Sequence, residues 1–168
     1  MTTATMPRQG DLALLDDPVA KELLNSQVPA RLAYTWKDGS PRVVPVWAHW
    51  TGEEFVIAGP PKAPKMNILH DGDQVALTLD SNTFPYHSLN VRGTVTVRVV
   101  DGIPPEYTKS CVTHLGKENG MGWNAQVASL FREFGRISIK PDWVGIIDFE
   151  RRFPSELAKA MSHAASAS

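Results

Sequence analysis

Two lysines, Lys62 and Lys65, stand where strand-forming residues give way to a helix, in Phe55-Val56-Ile57-Ala58-Gly59-Pro60-Pro61-Lys62-Ala63-Pro64-Lys65-Met66-Asn67-Ile68-Leu69. A helix start exposes backbone N–H groups that have no partner and carries about half a positive charge. The small residues Ala58 and Gly59 before it let a ligand approach the backbone. With two ammonium groups beside those donors, the segment has the chemistry of a phosphate or carboxylate site. Lysines in a first turn more often mark a plain solvated face, so the segment alone does not make a site.

Arginines elsewhere add to the first reading. Arg42 opens a strand that a hairpin pairs with its predecessor, and Val44 shares its face by the two-residue period. Arg92 sits beside Asn90 on the polar face of a long alternating strand. An arginine there is as readily solvated as functional. Together Arg42, Lys62, Lys65 and Arg92 make a local basic site in a chain of net charge −1. Such a site suits an anionic small molecule and argues against a nucleic-acid binder working through bulk charge.

A sheet is needed to bring these groups together. At 168 residues the chain is one domain, able to bury roughly 70% of its unfolded surface. Asp16-Asp17-Pro18 caps a short helix over 19–25. Alternation predicts strands over 30–36, 41–50, 54–58, 74–80 and 88–100, with closing strands at 136–139 and 143–149 separated by Lys140-Pro141-Asp142. Asp38-Gly39 is a hairpin signal, and Gly93 marks a bulge or a close backbone approach. Helices are expected from Pro64 to about His70, from Pro104 toward Leu115, and over 124–134, with Gly120 and Gly122 as an interruption. Six or seven hairpin-linked strands with helices between them predict a mainly β, α+β fold, an antiparallel barrel with peripheral helices. Residues 1–15 are expected to be a flexible N-terminus, frayed over 1–10. The domain spans 16–153, and 154–168 is a tail, frayed from 162.

Other chemistries find little support. A single cysteine, Cys111, allows neither an intrachain disulfide nor a thiolate metal cage, and suits a reducing cytoplasm. The five histidines show no metal-ligand spacing, so no metal is assigned. No Gly-x-Ser-x-Gly elbow supports a hydrolase. No secretory leader and no membrane-spanning run stands out. The five tryptophans serve core and subunit contacts, with one or two expected to wall a pocket against a flat ring.

The ordered set Pro41-Arg42-Val43-Val44-Pro45-Val46-Trp47, Lys62-Ala63-Pro64-Lys65-Met66-Asn67-Ile68-Leu69, Val75-Ala76-Leu77-Thr78-Leu79 and Val91-Arg92-Gly93-Thr94 resembles the pyridoxamine-5′-phosphate-oxidase-like family, over about residues 16–153. The resemblance implies a split β-barrel homodimer with cofactor sites at the subunit interface. It implies FMN, or the deazaflavin F420, with its phosphate on Arg42 and Lys65. Ala58 and Gly59 match the segment whose backbone lies along the flavin, and Asn90 a polar position facing the ring. Lys62 has no family counterpart and rests on charge alone. The chain lacks the C-terminal Arg-x-His of the vitamin B6 oxidases, and Pro64 replaces an arginine, so B6 oxidation is not expected. The function implied is oxidoreduction of a small conjugated substrate, with no catalytic side chain assigned. The alternative is a non-catalytic carrier of FMN, F420 or haem, with His87 or His114 as a minor option for a haem ligand.

Overall fold

The computed structural model describes residues 7–166. Its strands are β1 (Ala30–Thr35), β2 (Pro41–Val46), β3 (His49–Trp50), β4 (Phe55–Gly59), β5 (Gln74–Asp80), β6 (Ser88–Asp101) and β7 (Glu133–Ile147). Its helices are α1 (Pro18–Leu24), α2 (Pro64–Ile68), α3 (Pro105–Leu115), α4 (Lys117–Leu130) and α5 (Ser155–Ser166), preceded by a 3-10 turn at Leu12–Asp16. All strands join one seven-stranded antiparallel sheet in the order β2-β1-β5-β6-β7-β4-β3. The two outermost strands, β2 and β3, are separated in the chain only by Trp47 and Ala48. Three Cα steps reach at most about 11 Å, so the sheet must roll until its ends nearly meet. This is the barrel expected from the alternation.

The inward face is a continuous apolar core. Leu32, Leu77, Leu89, Ile137, Ile139 and Ile146 are no more than 1% exposed. Leu32 of β1 stands opposite Leu77 of β5, which stands opposite Val91 of β6. Asp17 caps α1 by accepting from the Val19 N–H, as the sequence predicts.

Several expectations are corrected. The strand expected over 41–50 is two strands on opposite ends of the sheet. Period-two alternation continues through Trp47 and Ala48 and so hides the crossing. The two closing strands are one strand, β7. Pro141 stands opposite Gly93, beside the β-bulge between Arg92 and Gly93, and a bulge is one of the places where a sheet tolerates proline. Gly93 is needed there, because a Cβ would lie 2.4 Å from the Lys140 carbonyl oxygen. The helix expected over 124–134 begins at Lys117 instead and ends at Leu130, with Gly120 and Gly122 inside it and Phe134 in β7. A Cβ at Gly120 would lie 2.6 Å from the Cys111 carbonyl oxygen. Close packing of α3 on α4 therefore outweighs the cost of about 1 kcal/mol for a helical glycine.

The chain ends also differ from expectation. Residues 1–6 and 167–168 lie outside the described residues. Of the segment expected to be flexible, Gln9 and Gly10 are bonded to the backbone of β7, and Leu14 and Leu15 are buried in the core. Beyond β7 the chain turns on Asp148, whose Oδ1 accepts from the N–H groups of Glu150, Arg151 and Arg152. The buried Arg152 donates to Asp148 and to Asp17, at 2.6 Å for the latter. The tail then forms α5, none of whose side chains is buried. No helix among the described residues is long and apolar enough to cross a membrane.

Candidate functional site

Lys65 is positioned by its neighbour. Met66 is buried against the core at 8% exposure, and this fixes the single turn of α2 on the end of the barrel. Lys65 is thereby turned toward a cleft of about 390 Å³ walled by Pro45, Val46, Trp47, Ala58 and Tyr107. No carboxylate lines the cleft, and among the described residues Lys65 makes no ion pair or side-chain hydrogen bond. Its ammonium is half-buried, and desolvation pushes its pKa below the ordinary lysine value. A cation so placed has the chemistry to receive an anion.

The walls around it are fixed. The Trp47 ring stacks on His114 at 5.1 Å and 16°. The Tyr107 hydroxyl accepts from Trp123 Nε1 at 3.0 Å, and burial raises the phenol's pKa. Next to Ala58 across the ladder is Arg136. Its charge is already committed, since its Nη2 donates to Glu54 at 2.7 Å and to Glu106 at 2.8 Å. The backbone offers donors as well. β3 pairs with β4 only at Phe55 and Val56, so over Ile57, Ala58 and Gly59 one edge of β4 has no ladder partner among the described residues. A Cβ at the buried Gly59 would meet no atom within 4 Å.

The sequence-derived candidates divide between places. Lys65 and Ala58 line this cleft, and Gly59 ends the same strand. Arg42 lies on β2, which also supplies Pro45 and Val46. Its guanidinium rests 5.0 Å over the Trp36 ring and does not line the cleft. Val44 pairs with Leu32 and packs against the core. Lys62 is exposed outside the cleft, and its carbonyl accepts from Asn67 Nδ2. Asn90 and Arg92 line a different cavity, on the outer face of β6. The helix-start reading is corrected too: α2 is a five-residue turn with no side-chain cap, too short to sum a macrodipole, so the lysine's own charge carries the site. The sequence reading missed Pro45, Val46 and Tyr107. Tyr107 reaches the cleft from α3, and no local pattern marks it.

No protein-family model matches the sequence, and no curated protein matches it. Solved structures do. One named F420 reductase is 22% identical, covers 74% of this chain and 94% of its own, and superposes with a TM-score of 0.56. A protein from Clostridium acetobutylicum related to general stress protein 26, of the pyridoxinephosphate oxidase family, is 13% identical over 82% of this chain and 90% of its own, TM-score 0.54. The heme storage protein HutZ from Vibrio cholerae is 15% identical over 79% and 93%, TM-score 0.53. The fold is the split β-barrel of the pyridoxine-phosphate-oxidase type.

Proposed function

We propose that this chain binds a flavin-type cofactor, FMN or the deazaflavin F420, by its phosphate at Lys65, and that it is a cytoplasmic oxidoreductase for a small conjugated substrate. The observation that carries this reading is the half-buried, unpaired Lys65 ammonium on the wall of an otherwise apolar cleft. The cleft fits such a group. Open space at Gly59 and the unpaired edge of β4 admit a flat ring against the backbone, while Pro45 and Trp47 give it apolar walls. When bound, the ring system supplies the hydride chemistry. Lys65 neutralises the phosphate. Arg42 is the second cation for it, after leaving its stack on Trp36. Tyr107, held by Trp123, fixes the far wall. A homodimer completes the site. Support for it comes from β2, an edge strand with Pro41, Arg42, Val43 and Pro45 all exposed.

A carrier without turnover would use the same contacts. For haem, neither imidazole is on the cleft wall: His87 lies between Glu22 and Glu150, and His114 is bonded to the Ser110 carbonyl beneath Trp47. The test is titration of the purified protein with FMN and with F420, followed by tryptophan quenching. Lys65→Glu is expected to weaken binding at least tenfold, about 1.4 kcal/mol. Unchanged affinity removes Lys65 from the site. Bound cofactor that no reductant or oxidant turns over favours the carrier.

A further inference from the structure

Tyr107 is the one hydroxyl among the residues that line the Lys65 cleft. It stands in the first turn of α3 and is half-buried. Its ring meets the buried Phe134 edge-on, with centroids 5.1 Å apart. α3 is itself seated on α4, where Gly120 lies against the Cys111 carbonyl. Packing therefore fixes where the phenol sits before anything enters the cleft.

Hydrogen bonding then fixes what the phenol has to offer. An indole N–H can only donate. Trp123 Nε1 donates to the Tyr107 oxygen at 3.0 Å, so that oxygen is already an acceptor there and its own proton must point elsewhere. On the protein side the phenol meets the Cys111 thiol, one turn along α3, and sulfur is a weak acceptor. The cleft is where a stronger acceptor would be met. Burial raises the phenol's pKa, so the group stays neutral and keeps its proton.

The cleft thus holds two donors of different kinds, the Lys65 ammonium and the Tyr107 hydroxyl. An ammonium suits the charge of a phosphate, whereas a neutral hydroxyl suits a carbonyl oxygen. The rings of FMN and of F420 both carry carbonyl oxygens. We infer that Tyr107 donates a hydrogen bond to a ring carbonyl of the bound cofactor and raises its reduction potential, with Trp123 as the residue that positions the phenol; this rests on the cofactor reading of the cleft. The potential follows from charge. A ring that has taken up a hydride, two electrons and one proton, carries one more negative charge than before. A donor to a charged acceptor is roughly twice as strong as one to a neutral acceptor, so Tyr107 grips the reduced form harder than the oxidised one.

The full chain is titrated with FMN and with F420. Whichever binds is titrated again after reduction by dithionite, and the potential of the bound form is read by spectroelectrochemistry. Tyr107→Phe is expected to weaken binding of the oxidised form about threefold and of the reduced form about thirtyfold. That tenfold difference lowers the potential by about 30 mV for a two-electron couple. The thermal midpoint of the unloaded protein is expected to hold, because water replaces the phenol at the Trp123 N–H, whose residue is 42% exposed. Trp123→Phe keeps the hydroxyl but frees it to turn, so it is expected to lower the potential by less and to add nothing to Tyr107→Phe. A potential unchanged in Tyr107→Phe, while Lys65→Glu still weakens binding, overturns this inference and leaves the cofactor reading standing. No binding of FMN or F420 to the unchanged protein overturns both. A Trp123→Phe shift that adds in full to that of Tyr107→Phe overturns the positioning role.

Discussion

The Met66 sulfur lies 2.6 Å from the point a Cβ on Gly135 would occupy. β7 therefore has no side chain where α2 sits down, and this contact sets the height of Lys65 above the barrel end. Gly135→Val would force Met66 out of its seat. We expect a loss of about 1–3 kcal/mol from overpacking, read from urea unfolding. FMN affinity should fall as well, although the substitution touches no cleft residue. Unchanged affinity would show that α2 is not positioned by this contact.

Lys65 gives a pH dependence of definite sign. Desolvation puts its folded pKa below the ordinary value of 10.5. Between the two values the unfolded chain holds a proton that the folded chain has lost, so stability without ligand rises with pH across that window. Lys65→Met should abolish that rise and leave stability at neutral pH unchanged or slightly higher. FMN affinity should fall as pH climbs through the lowered pKa, a loss absent from the variant. Fluorescence titration of FMN binding against rising pH, run on both proteins, checks this.

The Glu106–Arg136 pair acts at the other end of the scale. Burial would raise the Glu106 carboxyl, but the hydrogen bond and charge of Arg136 outweigh it and hold the pKa below 4.5. The stability this contributes is complete above the unfolded carboxylate value and is lost as pH falls through the lower folded value. Arg136→Met should cost about 2 kcal/mol at pH 7, less than a fully buried pair because both side chains keep some solvent contact. Urea midpoints of the two proteins should differ at about pH 7 and draw together as the pH is lowered toward about 3.

Arg152 ties the chain after β7 to the first helix cap. Its side chain and that of Asp17 are 7% and 10% exposed, and Asp148 is fully buried. Arg152→Met leaves two carboxylates short of a partner and should cost about 3 kcal/mol. Hydrogen exchange should show the loss spread to α1 as well as to the turn. Protection lost at the turn alone would mean that the Asp17 contact carries no energy.

The sequence exposes this fold well where its signals are local. The Asp38-Gly39 hairpin, the Asp17 cap and the alternation of β5 and β6 are each decided within a few residues. Lys65 and Ala58 are legible as neighbours for the same reason, being joined by one short turn. Placement around the barrel is less legible. Arg42 and Arg92 carry the same charge and the same strand grammar, yet one tops Trp36 and the other faces an outer cavity. Pattern gives the face of a strand but not which element closes over it. Tyr107 belongs to that second kind of information, arriving from a helix whose docking depends on Gly120. Pro141 is misread because a proline looks like a stop until its bulge partner is known.

Trp47 and Ala48 join the two lips of the rolled sheet directly along the chain. The Lys65 cleft lies on that seam, with Val46 from one lip and Ala58 from the strand inside the other. A guest lodged there would lace both lips together. Its hold would be felt as a slower ripping of the whole cylinder from that side, far beyond the few atoms it touches.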